Sequence, residues 1–289
     1  MIPEVIYIET TNLCNANCVM CPHESMKRKK MVMEQSVFEQ IIEGMKEVDL
    51  SKTQLFLHKE GEPLCDKNIA ERISLTCRRL PGVKEIGINT NAMLLTPEMA
   101  DKLLSSGMNL IFFSVDGTSA ETYDAIRVNC HYNTVEKNIE YFLKERQRLG
   151  RNIRVVMQML LTDKTRLQQE EYINKWEKYD VEFYFKEMHC YLDGGNSSFV
   201  KPDFSHQTSC CDDPFRVIVY YADGNVGPCC WDYNNEYVIG DSKNYSLLDL
   251  FNGERIEYLR QKQRKFDCGD IIPCNRCGRI YGKDKISEY

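Results

Sequence analysis

The sequence predicts an α/β fold: a partial (βα)6 TIM-like barrel followed by a small C-terminal domain. Six short apolar stretches with strand character alternate with stretches of helical periodicity up to residue 187. From residue 188 the periodicity is lost and Gly, Ser and Pro become frequent. A chain of 289 residues is long enough for one large domain with an appendage. We therefore predict a barrel over 1–187, and a linker with a second domain over 188–289.

Composition narrows the classes of function. Hydrophobic residues make up 43%, charged residues 28%, and the net charge of -6 argues against a protein that neutralises nucleic-acid phosphates. No apolar run is long enough for a membrane span, and the N-terminus lacks the features of a signal peptide. We therefore expect a cytoplasmic protein that binds neither nucleic acid nor membrane. In a reducing compartment, 14 cysteines indicate metal ligation or redox chemistry rather than disulfides.

Each predicted strand of the barrel is followed by a helical stretch, except the sixth strand, which closes the series. The first strand leads into a cysteine-rich loop before its helix. Because functional residues of such folds lie at the carboxyl ends of the strands, we expect the site at that edge. The predicted strands are 5–9, 54–58, 83–88, 110–115, 153–159 and 181–185, and the predicted helical stretches are 34–48, 66–79, 97–105, 119–149 and 165–178.

The C-terminal domain is predicted to consist of a β-hairpin and a helix. Two apolar stretches flank the turn residues Asp223-Gly224-Asn225, which is typical of a hairpin. A helical pattern follows over 246–265. A cysteine-rich segment, "CGDIIPCNRCGRI", and a short polar tail end the chain.

Three cysteines follow the first strand at positions i, i+4 and i+7: Cys14, Cys18 and Cys21. This spacing also suits a buried stripe on a helix, but the surrounding Asn residues and Pro22 favour a loop. A loop can wrap thiolates around an iron-sulfur cluster. Structural zinc normally needs four ligands, and no fourth Cys or His lies at finger spacing. Three thiolates on a four-iron cluster leave one iron open.

The motif C-x3-C-x2-C directly after a first strand resembles that of the radical S-adenosylmethionine (SAM) superfamily. The resemblance implies that the open iron binds SAM, and that reductive cleavage yields a 5'-deoxyadenosyl radical that removes hydrogen from the substrate. It also implies a flavodoxin- or ferredoxin-type electron donor.

Further segments resemble the SAM-binding motifs of this superfamily. "EGEP" (60–63) is similar to a Gly-Gly-Glu-Pro motif with Glu60 in the place of a glycine, and "NTNAMLLT" to a Thr-Asn-Gly stretch with Ala92 in the place of glycine. "FSVDG" and "YDAIR" match segments near the ribose and carboxylate of SAM. By this resemblance the SAM-binding residues are Met20, Gly61, Glu62, Pro63, Asn91, Ser114 and Arg127.

A second group of cysteines predicts another metal site. The pair in "PCNRC" is a strong ligand motif, and a pair from the hairpin would complete a four-thiolate site for iron-sulfur or zinc. The arrangement resembles the shortened SPASM domain called twitch. The resemblance implies one auxiliary 4Fe-4S cluster, with Cys210 and Cys230 as close competitors of their neighbours. The implied ligands are Cys211, Cys229, Cys274 and Cys277.

Twitch-bearing members of the superfamily include an aminocyclitol dehydrogenase and an aminoglycoside epimerase. We therefore expect oxidation at a carbinol carbon of a sugar, aminocyclitol or similar small molecule, with the auxiliary cluster as electron acceptor. The alternative is epimerisation, with Cys268 as hydrogen donor. Little chain precedes Val5, which disfavours a peptide-modifying maturase that needs a leader-recognition domain. A non-catalytic iron-sulfur or zinc protein is the alternative of a different class.

Overall fold

The computed structural model describes residues 1–187, Leu192 and residues 205–281. The predicted linker falls largely outside these residues, as does the polar tail from residue 282. The division of the chain at residue 187 stays a prediction.

One nine-stranded sheet carries the fold, with the strand order β11-β10-β9-β1-β3-β4-β5-β7-β8. Six of these strands, β1, β3, β4, β5, β7 and β8, are parallel neighbours, which confirms the predicted parallel sheet. A separate two-stranded sheet pairs β2 with β6. The strands are β1 (Val5–Ile8), β2 (Asn17–Cys18), β3 (Gln54–Phe56), β4 (Glu85–Thr90), β5 (Leu110–Ser114), β6 (Arg127–Val128), β7 (Arg154–Leu161), β8 (Glu182–Glu187), β9 (Val217–Tyr220), β10 (Asn225–Gly227) and β11 (Gly240–Asp241).

The C-terminal hairpin extends the barrel sheet. β9 runs parallel to β1, with Val5 opposite Val217 and Ile8 opposite Tyr220. β10 then pairs antiparallel with β9, as the turn residues at 223–225 predict. The direct bonding of β9 to β1 places the hairpin beside the cysteine loop, which the sequence did not indicate.

Helices surround the sheet and begin at residues that favour helix starts. Thr96 accepts a hydrogen bond from the backbone N–H of Met99 (3.3 Å), and Ser119 accepts one from Thr122 (3.3 Å). The α-helices are α1 (Gln35–Glu43), α2 (Ile69–Arg79), α3 (Pro97–Ser105), α4 (Ala120–Ile126), α5 (Tyr132–Arg148), α6 (Gln169–Trp176), α7 (Asp213–Arg216), α8 (Leu247–Phe251), α9 (Glu254–Arg264) and α10 (Gly278–Tyr281).

The two faces of the sheet form separate apolar clusters. On one face, strand residues such as Ile6 and Ile88 pack with helix residues such as Phe142 in the main core. On the other face, residues in or next to the strands, including Phe56 and Val219, form a smaller cluster. Because successive strand residues point to opposite faces, the second cluster lies on the inner face of the barrel.

The prediction of a single helix over 246–265 is wrong. The segment forms α8 and α9, which are separated by Asn252 and Gly253. Ser246 and Asp249 form a capping box at the start of α8, and the extended backbone of Gly253 (ψ 169°) starts a new helix. The apolar periodicity alone did not reveal this break.

The sequence predicts no membrane-spanning helix, and such a helix would have to be both long and strongly apolar. The described part of the chain contains no helix of that kind.

Replacing Phe266 with glycine should stabilise the protein. Phe266 follows α9 with φ +54° and is 51% exposed, so it adopts a left-handed conformation with little burial in return. Its backbone N–H donates to Gln263 O (3.1 Å), and that of Asp267 donates to Lys262 O (3.0 Å), a typical glycine-terminated helix end. We expect Phe266→Gly to raise the free energy of unfolding by about 1 kcal/mol.

Thermal melts followed by circular dichroism measure this effect. Lys265→Gly is the matched control, because Lys265 has φ -91°, a conformation in which glycine brings only an entropic cost. A melting midpoint that falls in Phe266→Gly as it does in Lys265→Gly would contradict the prediction.

Candidate active site

The three N-terminal cysteines lie in a loop after β1, as the sequence predicts. Asn12 closes this loop: its Nδ2 donates to Lys29 O (2.9 Å), and its Oδ1 accepts from the backbone N–H of Met31 (2.6 Å). The backbone N–H of Leu13 donates to Oγ1 of Thr11 (3.0 Å). Short polar side chains thus supply hydrogen bonds that a helix would otherwise make internally. A helical cysteine stripe is excluded here.

Cys14, Cys18 and Cys21 are half-buried and interact electrostatically with one another. Burial is the main cause that raises the pKa of Cys14 and Cys21 to about 12, with smaller contributions from Glu62 or Glu60 and from the neighbouring thiols. The backbone N–H of Ala16 donates to Sγ of Cys14 at 3.4 Å. Thiolates in such surroundings need a compensating cation, which bound metal supplies.

The donor chemistry of this loop therefore fits an iron-sulfur group. Among the described residues, no three His, Cys, Asp or Glu side chains are placed to share a single metal ion. The fit accordingly depends on the type, burial and grouping of the thiols, and not on a preformed cage for one ion.

Arg127 connects the cysteine loop to the ends of β5 and β7. The backbones of Cys18 and Arg127 face each other in the β2–β6 pair. Nε of Arg127 donates to Oδ2 of Asp116 (2.7 Å), and Nη1 lies 4.0 Å from Sγ of Cys18. Asp116 also accepts from the backbone N–H of Leu160 (2.7 Å). Burial lowers the pKa of Arg127, but Asp116, Cys18 and Tyr123 together outweigh burial and raise it, so the guanidinium stays charged beside the thiol.

The segment 60–63 packs directly on the cysteine loop. A Cβ at Gly61 would lie 2.5 Å from Leu13 O and 2.6 Å from Thr11 O, so only glycine fits. Glu62 is 3% exposed, and its carboxylate accepts from Thr90 Oγ1 (2.6 Å), and from the backbone N–H groups of Asn91 (2.8 Å) and Leu64 (3.1 Å). Burial raises the pKa of Glu62, and these hydrogen bonds oppose that effect.

Asn91 links the end of β4 to the cysteine loop. Its Nδ2 donates to Asn15 Oδ1 (3.0 Å), and its Oδ1 accepts from the backbone N–H of Met93 (2.9 Å). Ala92 has φ +58° and is fully buried, which explains why this position suits glycine in the similar motif. An alanine here retains the motif at a conformational cost.

The other predicted SAM-binding residues lie at different depths. Pro63 is buried and begins a 3-10 turn over Pro63–Cys65, and Met20 is half-buried in the turn before Cys21. Ser114 lies deeper, on the inner face of β5, where its hydroxyl donates to Asn89 Oδ1 at 2.7 Å. Ser114 therefore already has a hydrogen-bond acceptor within the barrel.

A cavity in the C-terminal region brings together the four predicted auxiliary ligands. Its lining includes Cys211, Cys229, Cys274 and Cys277. The two competing cysteines are not among its lining residues: Cys210 is exposed, and Sγ of Cys230 lies 3.2 Å from Oδ2 of Asp213, which Sγ of Cys229 also approaches at 3.7 Å. The geometry thus favours Cys211 and Cys229 over their neighbours.

Polar residues around this cavity were not identified from the sequence. Asp213 is buried, and its Oδ1 accepts from Nη1 of Arg279 (2.6 Å). Gln263 Oε1 accepts from the backbone N–H of Cys211 (3.0 Å), and its Nε2 lies 3.7 Å from Sγ of Cys274. Each of these residues is distant in sequence from its partner, so no local pattern indicates the contact.

The placement of Cys268 does not support its predicted role as hydrogen donor. Cys268 is fully buried, and its side chain contacts that of Cys274 in the C-terminal apolar cluster. A donor to a substrate radical must face the substrate, whereas Cys268 faces the lining of the auxiliary cavity. Sequence proximity to the C-x2-C pair could not distinguish these two positions.

Two buried ion pairs lie between the cysteine loop and the hairpin, and sequence reasoning did not predict either. Arg28 donates to both carboxylate oxygens of Glu9 (2.7 and 2.6 Å), and Glu9 also accepts from the backbone N–H of Ala222 (3.0 Å). Lys59 pairs with Glu60. Burial lowers the pKa of Lys59, but Glu60, with smaller contributions from Glu9 and Cys230, raises it above its usual value, so the ammonium stays charged.

Comparisons with known proteins agree with this geometry. Residues 8–173 match the Radical SAM superfamily, and residues 210–278 match SPASM, an iron-sulfur cluster-binding domain. The first match covers the cysteine loop and strands β3, β4, β5 and β7, and the second covers the four cysteines that line the auxiliary cavity.

Characterised relatives differ in the share of the chain that they cover. The S-adenosyl-L-methionine-dependent 2-deoxy-scyllo-inosamine dehydrogenase of Niallia circulans is 20% identical over 277 residues, 96% of this chain and 93% of that enzyme. GTP 3',8-cyclase of Desulforamulus reducens is 29% identical over 143 residues, 47% of this chain and 42% of the cyclase. The chain therefore spans less than half the length of that cyclase but nearly all of the dehydrogenase.

Solved structures show the same fold over almost the whole chain. BtrN in complex with AdoMet and 2-DOIA superposes with a TM-score of 0.64 at 18% identity, covering 96% of this chain and 92% of BtrN. Native anSMEcpe with bound AdoMet gives a TM-score of 0.69 at 16% identity, covering 98% and 92% of the two chains.

Substitution of Gly61 should separate the cysteine loop from the barrel. In Gly61→Ala the new methyl group would meet backbone oxygens of Leu13 and Thr11, which cannot rotate away as side chains can. We expect the reconstituted variant to lose the N-terminal cluster, about four irons per chain. Gly82→Ala is the control, since a Cβ there meets nothing within 4 Å. Equal iron contents in the two variants, determined by chemical assay, would refute this prediction.

Proposed function

Because the chain belongs to the radical SAM superfamily, we propose that it oxidises a carbinol carbon of a sugar, aminocyclitol or similar small molecule. Its radical SAM domain carries a 4Fe-4S cluster with SAM, and its SPASM domain carries auxiliary iron-sulfur. Their ligands are proposals: Cys14, Cys18 and Cys21 for the first cluster, and Cys211, Cys229, Cys274 and Cys277 for the second. When bound, SAM and the clusters supply the radical that takes a hydrogen atom from substrate and an acceptor for the remaining electron.

The observation that carries the proposal is the cavity lined by Cys211, Cys229, Cys274 and Cys277. Removal of one hydrogen atom and one proton from a secondary alcohol gives a ketone and leaves one electron, which needs an acceptor. Four protein thiolates would close an auxiliary cluster to other ligands, which suits electron transfer rather than substrate binding. The near full-length similarity to the inosamine dehydrogenase supports the same reaction class.

The chain's own residues position the SAM site in this proposal. Arg127 stays cationic beside Cys18 and is oriented by Asp116. Glu62 fixes the end of β4 through Thr90 and Asn91, and the backbone of this edge would contact the SAM ammonium. Gly61, Pro63, Met20 and Ser114 complete the proposed SAM contacts.

Epimerisation remains the alternative. Its proposed hydrogen donor, Cys268, is buried beside Cys274 in the C-terminal apolar cluster, which supports oxidation rather than epimerisation. An electron donor of the flavodoxin or ferredoxin type is part of the proposal, since reductive cleavage of SAM needs an external electron.

Neighbouring cysteines allow a direct test of the auxiliary ligands. We expect Cys211→Ala to lose about four irons after anaerobic reconstitution, because its thiol faces the cavity. Cys210→Ala is the matched control, since Cys210 is exposed, and it should retain the wild-type content. Iron loss in the Cys210 variant with retention in the Cys211 variant would reverse the assignment.

Product analysis tests the reaction. With dithionite-reduced protein, SAM and 2-deoxy-scyllo-inosamine or related cyclitols and sugars, we expect a ketone and 5'-deoxyadenosine in equal amounts. Cys211→Ala should still form 5'-deoxyadenosine but far less ketone, because the second electron lacks its acceptor. Solvent deuterium at an inverted carbon, with no ketone, would show epimerisation instead.

A further inference from the structure

A row of polar side chains crosses the inner face of the barrel just below the strand ends. It consists of His58, which follows β3, and of Asn89, Ser114 and Gln158 in the neighbouring strands β4, β5 and β7. Their strand registers place them on the face of Phe56, opposite the helices. No function described above uses this row, apart from the predicted SAM contact of Ser114.

Hydrogen bonds connect the row, and their donors follow one direction, from Gln158 through Ser114 and Asn89 to His58. Nε2 of Gln158 donates to Oγ of Ser114 (3.4 Å), and this hydroxyl donates to Oδ1 of Asn89 (2.7 Å). The backbone N–H of Asn89 donates to Nδ1 of His58 (3.1 Å). Each side chain is therefore oriented by its neighbour on the next strand.

This network determines which hydrogen-bonding atoms remain available. Because Nδ1 of His58 accepts a hydrogen bond, the ring proton of the neutral imidazole lies on Nε2. The imidazole is held edge-on against Tyr7 (5.7 Å between ring centroids) and Phe56 (5.4 Å). Within the described residues, His58 Nε2, Asn89 Nδ2 and Gln158 Oε1 have no hydrogen-bond partner. Two of these three groups are donors.

The surrounding charges favour an uncharged or acceptor-rich ligand over an ammonium. Burial, with a further contribution from Lys59, lowers the pKa of His58 to about 3, so its imidazole is neutral at physiological pH. The nearby carboxylates of Glu9, Glu60 and Asp116 already bind Arg28, Lys59 and Arg127.

We propose that this row is the floor of the substrate pocket, and that His58 selects substrates by donating a hydrogen bond from Nε2 to a substrate oxygen. The proposal rests on the proposed function and narrows its substrate class. The substrate should present hydroxyl or carbonyl oxygens to the row, and any amino group should point elsewhere. His58 acts as a donor only, because its proton is not exchanged in this role.

Paired cyclitols test the proposal by calorimetric titration into reconstituted, SAM-loaded protein. The probes are scyllo-inositol, which carries only hydroxyl groups, and scyllo-inosamine, in which one hydroxyl is replaced by an amine. We expect scyllo-inositol to bind wild type at least as tightly as scyllo-inosamine. His58→Phe should weaken scyllo-inositol binding about threefold to tenfold, the effect of one neutral hydrogen bond. His58→Gln should recover part of it, since the amide retains a distal donor.

His131→Gln is the matched control, because His131 is exposed, and it should bind as wild type does. Tighter binding of scyllo-inosamine, equal binding by His58→Phe and wild type, or no binding of either probe would overturn the proposal. This test is separate from product analysis. If wild type forms ketone and His58→Phe binds scyllo-inositol as tightly as wild type does, only the role of His58 is overturned. If His58→Phe weakens binding as expected but wild type forms no ketone, only the proposed oxidation is overturned.

Acid unfolding provides a readout independent of substrate. The folded protein keeps His58 neutral down to pH about 3, whereas the unfolded chain takes up a proton near its ordinary pKa of about 6.5. His58 therefore has no effect on the free energy of unfolding above pH about 6.5 and reduces it as the pH falls from there towards 3. His58→Phe should lose less stability than wild type over this range. Equal losses would show that His58 is not held neutral and would overturn the assigned tautomer.

Discussion

The close backbone contact between Gly61 and the cysteine loop is the constraint on which the site depends. Half-buried thiols repel one another once ionised, so their loop must be held by contacts that do not yield. Gly61 lets two backbones approach to a distance that excludes any Cβ, and the backbone N–H of Glu62 donates to Leu13 O (2.8 Å) across this contact. The loop is thereby fixed to the end of β3, while the β2–β6 pair fixes its other side.

Buried charges in this region are compensated pairwise. Asp116 with Arg127, and Glu9 with Arg28, each combine a short charge-assisted contact with a further backbone hydrogen bond to the carboxylate. Pairing of this kind offsets much of the desolvation cost of each charge. It also leaves the inner face of the barrel with neutral hydrogen-bonding groups, which suits a hydroxylated substrate better than an ion.

The sheet brings the two cysteine regions to the same side of the molecule. Parallel pairing of β9 with β1 places the hairpin next to the strand from which the cysteine loop departs. Residues almost 200 positions apart, such as Cys18 and Cys211, therefore belong to elements attached to neighbouring strands.

The sequence by itself determined the parallel sheet and the cysteine loop, because local periodicity and short spacings record them, but it left Cys210 and Cys230 as competitors for the auxiliary site. It did not reveal the break between α8 and α9, since Asn252 and Gly253 interrupt the helix without interrupting the periodicity of the apolar residues. Only the tertiary structure showed that Cys211 lines the auxiliary cavity whereas Cys210 is exposed, and that Cys268 lies in the C-terminal apolar cluster. It also showed that His58 and Gln158 belong to one hydrogen-bonded row. These outcomes depend on side-chain direction and on contacts between distant strands, which spacing along the chain does not encode.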